Sequence, residues 1–325
     1  GSNTPAMRSH SAAHTRRAHR AIPAFVGIGF IAVCIICSVI FLRLFVQPFP
    51  YRQSLVIAGN PTHIISINAA KNNIIVVDVP EDTVISATHG YGNYPIRSLI
   101  TLDDIDNHHG ALVTGSMSDA FGIPIKWYVN PGELGNGDGT VSLIRSIFSF
   151  GNLFRVLQGS MDTSMPLATW INLVWALRFI PADGVESINI RQAIIHVDTP
   201  DGSSVSTLDE NKLDYMLENS LFDSGLRAEG ITAAIYNTTQ VPTVGLRASR
   251  QVSRMGVQLV FVGNAEPTVS ECQINGLREA LQSKTADYLA DYFGCKKVEG
   301  ESDIGRGTGA DLVVLLGEKY ASQYK

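Results

Sequence analysis

The sequence predicts an α/β protein held to a membrane by a single N-terminal helix, with two α/β modules beyond it. Three observations carry this expectation. Residues 21–42, AIPAFVGIGFIAVCIICSVIFL, form a 22-residue run without a formal charge, long enough to cross a bilayer as a helix. Beyond it, the short apolar runs SLVIAG, THIISIN and NNIIVVDV are separated by turn residues, as strands are. From about residue 229 onward, strand-like and helix-like segments alternate, which places helices against a sheet.

The bulk numbers fit a globular protein. The 325 residues have room for one large or two ordinary domains, with 45% hydrophobic and 17% charged residues. A net charge of -5 leaves no overall basic footprint, so nucleic acid is excluded as the expected partner.

Residues 1–20 are polar, rich in His, Ser, Ala and Arg, and read as a disordered cytoplasmic tail. Residues 21–45 read as a transmembrane signal anchor. Arg8, Arg16, Arg17 and Arg20 precede the apolar run with no acid among them, and only Arg43 and Arg52 follow nearby. The positive-inside bias puts the N-terminus in the cytoplasm and everything after about residue 45 outside, in the cell membrane as a single-pass protein. A cleaved signal peptide is the competing reading, and the run is too long for its ordinary apolar core. Cys34 and Cys37 lie within the run. Cys272 and Cys295 lie in the exported part, where either a disulfide or two buried thiols fits the sequence.

After the spacer QPFPYRQ, residues 50–205 read as a first module. It opens with strands over SLVIAG, THIISIN and NNIIVVDV. THGYGNYP reads as a loop, GALVTGSMSDAFG as helical and IKWYVN as a strand. VSLIRSIFSFGNLFRVLQ and PLATWINLVWALRFI read as one helix each, and SINIRQAIIHVDTPDGSS as extended. Residues 206–228 read as a linker helix with acids on its outer face. Residues 229–322 form the last module: strand ITAAIYNTT, helix VGLRASRQVSRMG, strand VQLVFVGN, a short strand TVSECQI, helix GLREALQSKTADYLADYFG and closing strand DLVVLLG.

Five features could carry chemistry. DVPEDT, residues 78–83, places Asp78, Glu81 and Asp82 at a strand end, as a metal site or as a solvated turn. LDDIDNHHG sets Asp103, Asp104 and Asp106 before His108 and His109, as a weak metal site or a helix cap. Arg247, Arg250 and Arg254 fall on one helix face, where they could meet anionic wall polymer or lipid headgroups, or only water. Trp170 and Trp175, with Leu173 and Phe179, line an apolar groove or belong to an ordinary core. Asn237-Thr238-Thr239 matches a glycosylation sequon and also reads as a turn.

The last module resembles the LytR C-terminal domain, through IYNTTQVPTVGLRASRQVSRMGVQLVFVGNAE and GADLVVLLGEKY. The first module resembles a truncated LytR-CpsA-Psr catalytic domain. SLVIAG with THIISINAAKNNIIVVDVPEDTVI looks like that family's opening strands and its Pro-Arg-Asp-Thr motif. FGIPIKWYVN looks like its Gly-Ile-Pro-Ile strand, and MDTSMPLATWINLVWALRFIPADGVESINI like its closing helix and strand. The resemblance implies transfer of a glycopolymer from a polyprenyl-pyrophosphate carrier to the wall, with arginines and Mg2+-binding aspartates around the diphosphate.

Much of that chemistry is missing here. Glu81 stands where the family has Arg, which reverses the sign of its interaction with phosphate. Asp82 is kept, Arg97 is placed to replace a Lys, and the middle section between Val129 and Met161 is only about thirty residues. Arg145 and Arg155 lie there outside any motif. The expected function is therefore a non-catalytic scaffold or binding protein of cell-envelope polymer assembly, with no cofactor. Its expected partners are the lipid bilayer, a cell-wall glycopolymer or envelope proteins. The alternatives are a divergent phosphotransferase using Asp82, Arg97, Arg145 and Arg155 with Mg2+, or a polyprenyl-phosphate lipid binder built on Trp170 and Trp175.

Overall fold

The computed structural model describes residues 33–36, 49–132, 140–198, 202, 204–300 and 302–325. Residues 33–36 are helical, and the rest of the 21–42 run and the tail before it lie outside the described residues. No described helix is long and apolar enough to cross a membrane. The chain divides at residue 47/48, and everything after that point forms one unit.

That unit is built on three sheets. The first has six strands in the order β7-β6-β1-β2-β3-β8. Its members are β1 Gln53–Ile57, β2 Thr62–Asn68, β3 Asn73–Val79, β6 Ile125–Asn130, β7 Asp162–Thr163 and β8 Val185–Asn189. β1, β2 and β3 run antiparallel, while β6 and β8 flank them in parallel pairing. Strands covered on both faces are apolar at consecutive positions rather than alternate ones, which is why β2 and β3 read as near-continuous Ile/Val runs. Ile64, Ile75 and Val77 point to one face, toward helices α1 Ile96–Ile105 and α2 Ala111–Phe121. Leu55, Ile65, Ile67, Ile74 and Val76 point to the other. There they meet helices α3 Thr140–Ile147, α4 Phe150–Leu157 and α5 Leu167–Leu177.

The segment read as one helix over residues 141–158 is two. Ser149 takes extended angles, φ -96° and ψ 157°, between α3 and α4. Part of the segment read as a loop is also regular: β5 Gly92–Pro95 pairs antiparallel with β4 Val84–Ala87. These two strands join β10 Ser204–Leu208 and β9 Ile194–Asp198 in a second sheet, ordered β5-β4-β10-β9.

The linker helix expected over residues 206–228 is corrected accordingly. Residues 206–208 finish β10, where β-branched Val205 and Thr207 suit a strand. Asp209 then caps helix α6 Glu210–Leu217 through the amide of Lys212, and Asp223 caps helix α7 Ser224–Glu229.

The third sheet has the order β12-β11-β15-β13-β14. It contains β11 Thr232–Asn237, β12 Gln258–Asn264, β13 Gln273–Gly276, β14 Lys296–Glu299 and β15 Leu312–Leu316. Helices α8 Val244–Met255 and α10 Lys284–Phe293 contribute to the core on one of its faces. The long helix read over residues 276–294 breaks into α9 Arg278–Leu281 and α10, with the Ser283 hydroxyl accepting from the Ala286 amide at the break. β14, KKVE, has no apolar run and was not expected. Cys272 and Cys295 form a disulfide beside the starts of β13 and β14, which run parallel.

The first and third sheets are tied together. Tyr51, two residues before β1, belongs to the core of the third sheet, stacked on Tyr288 with ring centroids 4.1 Å apart. Its hydroxyl donates to Asp291, which also accepts from Lys126 at the foot of β6. The backbone amide of Arg52 donates to Asp223 at 2.7 Å. The Arg52 side chain is buried and donates to Ser66 and Asn73. Burial lowers its pKa, with the Asp223 carboxylate opposing.

Candidate functional site

The acid turn lies at the end of β3. His63 on β2 faces Asp78 on β3, with Nδ1 2.7 Å from an Asp78 oxygen. The second Asp78 oxygen accepts from Ser187 of β8 at 3.3 Å. The hydrogen bond from His63 is the main cause holding the Asp78 carboxyl below its usual range; burial works against it. Glu81 accepts from the Asn60 side chain at 3.1 Å, tying the β1–β2 turn to the β3–β4 turn. Asp82 is exposed. The turn also starts a helix: the amides of Ile96 and Arg97 donate to the carbonyls of Thr83 and Glu81. Two of the three acids are therefore tied to neighbouring strands and turns. No group of three or more His, Cys, Asp or Glu able to hold a metal ion occurs among the described residues.

The arginines that the enzymatic alternative needs around that turn do not gather there. Arg97 is exposed at the start of α1, in the layer on one face of the first sheet. Arg145 and Arg155 sit on α3 and α4, in the layer on the opposite face. The Arg145 guanidinium donates to the Ile180 carbonyl at 3.3 Å. Two sides of a filled sheet cannot clamp one diphosphate.

Asp103 has a structural task. It is buried, and its carboxylate accepts from the amides of Gly110, Leu112 and Val113 at 2.6, 2.9 and 3.2 Å, capping α2. Gly110 is required there, at φ +86° with a Cβ position only 2.7 Å from Tyr128. Asp104 lies near Asp162, and burial, then that like charge, raises its carboxyl. His108 meets the Tyr91 hydroxyl at 3.0 Å and packs beside His89. Asn237 is buried, donating to the Val241 carbonyl and accepting from the Thr239 amide and hydroxyl. That sequon is a turn.

Trp170 is fully buried against Phe148, with ring centroids 4.7 Å apart, among side chains of α3, α5 and the first sheet. It fills a core and lines no open groove. Trp175, five residues on, points outward and packs edge-on to Phe179.

Among the described residues, an ionic network joins helices α2, α6 and α8. Arg250 grips Asp214 with two hydrogen bonds of 3.0 Å and reaches Glu210 at 2.8 Å and the Asp119 carbonyl at 3.0 Å. Arg254 is buried and donates to Asp214 at 2.8 Å. Arg247 pairs with Asp119, which also accepts from Tyr324 at 2.9 Å and from Gln251 at 3.3 Å. Burial raises the Asp119 carboxyl, with Arg247, Tyr324 and Arg250 pulling it down. Burial works to lower Arg247, and the adjoining Asp119 carboxylate overrides it, leaving Arg247 raised. Burial lowers Arg254. These three arginines are not a free cationic face, because acids of this chain already hold them.

A cleft of about 410 Å³ opens beside this network, lined in part by Asn93, Asp119, Glu210, Thr243, Arg247 and Arg250. An anion entering it competes with carboxylates already in place. The arginine spacing was legible in the sequence; the partners Asp119, Glu210 and Asp214 were not. Asp119 is more than a hundred residues from α8, and no local pattern marks it.

No family model matches the chain, and no curated protein matches it. Several solved structures align with about half of the chain. The crystal structure of B. subtilis TagV aligns over 52% of this chain and 95% of its own, at 10% identity and a TM-score of 0.38. The LytR-CPS2A-psr family protein YwtF (TagT) with bound octaprenyl pyrophosphate lipid aligns over 52% and 89%, at 14% identity and a TM-score of 0.36. TagT bound to LIIa-WTA aligns over 52% and 91%, at 11% identity and a TM-score of 0.35. Likeness at this level assigns no residue and no activity to the present chain.

Proposed function

We propose that the chain is a membrane-anchored, extracytoplasmic binding or scaffold protein of cell-envelope polymer assembly that does not itself transfer the polymer. The first module's sequence motifs suggest the setting. One observation supports the non-catalytic reading: the charged groups a diphosphate donor requires are dispersed or already engaged. Asp78 is held by His63 and Ser187, and Arg97 is separated from Arg145 and Arg155 by the first sheet. A leaving diphosphate needs several cations converging on it, and a displaced guanidinium gives little of that stabilisation.

The test is turnover of a polyprenyl-pyrophosphate-linked glycopolymer by the full chain in detergent or vesicles, with and without Mg2+. No release of the carrier is expected, together with retention of wall glycopolymer or envelope proteins on the immobilised chain. Release that needs Mg2+ and disappears in Asp82→Ala refutes the proposal. One observation favours the enzymatic alternative: the Arg97 amide binds the Glu81 carbonyl, so Arg97 and Asp82 share one corner. Loss of release in Arg97→Ala would then accompany loss in Asp82→Ala.

A further inference from the structure

Helices α4 and α5 pack together and turn apolar side chains outward. Phe150, Phe154 and Leu157 are 48, 67 and 57% exposed on or at the start of α4. Leu167, Trp175 and Phe179 are 37, 37 and 62% exposed on or just after α5. Arg178 stands over the Phe150 ring at 5.4 Å, joining the outer residues of the two helices. A soluble surface scatters such residues singly; a contiguous group on two packed helices marks a contact surface. Residues 140–180 contain three arginines, Arg145, Arg155 and Arg178, against one acid, Asp162, in a chain whose net charge is -5. An apolar face rimmed by cations complements an anionic lipid surface.

The chain's connectivity points to the same occupant. Residues 43–48 are all that separate the 21–42 run from Phe49, and six residues reach at most about 20 Å. Phe49 packs on the same core layer as α3, α4 and α5, its ring centroid 6.3 Å from that of Trp127. We infer that the outer face of α4 and α5 lies in the interface of the bilayer that anchors the chain, with Phe154, Trp175 and Phe179 at acyl depth and Arg155 and Arg178 at the headgroups. This rests on the reading of residues 21–42 as a membrane span.

The test uses the full chain reconstituted into phosphatidylcholine–phosphatidylglycerol vesicles with lipids brominated along the acyl chain. Only three tryptophans are present, and Trp127 and Trp170 are buried at 8 and 0% exposure, so Trp175 reports on the face. Bromolipid should quench the Trp175 component of the emission. Trp175→Phe should remove the quenchable part, and Phe154→Glu with Phe179→Glu should reduce it about twofold or more while the protein still floats with the vesicles. Flotation without quenching overturns the inference and leaves the membrane span standing. Failure to float refutes the span and the inference together. Trp175 emission that follows protein concentration rather than bromolipid assigns the face to self-association and also overturns it.

Discussion

Two acid groups in this molecule look alike in composition and differ in what surrounds them. Asp78, Glu81 and Asp82 lie close together in sequence at the end of β3; His63 and Ser187 meet the first, Asn60 meets the second, and the third is exposed. Asp119, Glu210 and Asp214 are scattered along the chain and meet three arginines of one helix between the modules. The first group attracts attention in the sequence because it is local. In the second, guanidinium partners, and for Asp119 burial as well, decide what the carboxylates do.

Substitutions rank the two groups. The largest effect is expected at Asp119→Ala, which leaves Arg247, Gln251 and Tyr324 without their shared acceptor. Taking the acceptor from a half-buried guanidinium and two buried polar groups costs about 2–3 kcal/mol, read as a drop in the denaturant midpoint. A cost under about 1 kcal/mol would mean that the modules do not depend on this contact. Next comes Asp103→Ala, which exposes three buried amides at the start of α2 and should lose about 2 kcal/mol by the same measurement.

A smaller effect is expected at Asp78→Asn, about 0.5–1 kcal/mol near neutral pH, because that carboxylate is partly solvated. The sign of its pH dependence follows from its depressed pKa. The charged form is favoured in the fold, so its contribution is full above the ordinary carboxylate value of 3.8 and is lost as pH falls through the lower folded value. Stability curves of wild type and Asp78→Asn should therefore converge in acid and separate toward neutral pH. The smallest change belongs to exposed Asp82→Ala, expected within about 0.5 kcal/mol. A loss above that range at Asp82, with little change at Asp119, would reverse the comparison.

Local patterns made some of this readable in advance. β2 and β3 were readable as strands from their near-continuous Ile/Val runs, and the Asp103 cap lies within ten residues of the amides it satisfies. β5 and β14 were missed because GNYP and KKVE carry no apolar alternation; neighbouring strands, not their own side chains, make them strands. The break at Ser149 interrupts an apolar pattern that continues in register on both sides, so periodicity alone could not reveal it. The acid turn was legible as a place. The loss of its motif arginine at Glu81 was legible too; the placement of Arg97 on one face and of Arg145 and Arg155 on the other was not, because only the sheet shows it. Trp170 and Trp175 sit five residues apart in one apolar segment, and only tertiary packing separates the core side chain from the surface one.

Tyr51 and Arg52 give the interlock of the modules a mechanical meaning. Tension arriving along the chain from residue 48 meets the Tyr51–Tyr288 stack and the Arg52–Asp223 bond before it reaches β1, an interior strand hydrogen-bonded on both sides. Both modules thus share the load from the first residues pulled. A pull on this segment strains the third sheet's core and shears the first sheet together, instead of peeling away one end.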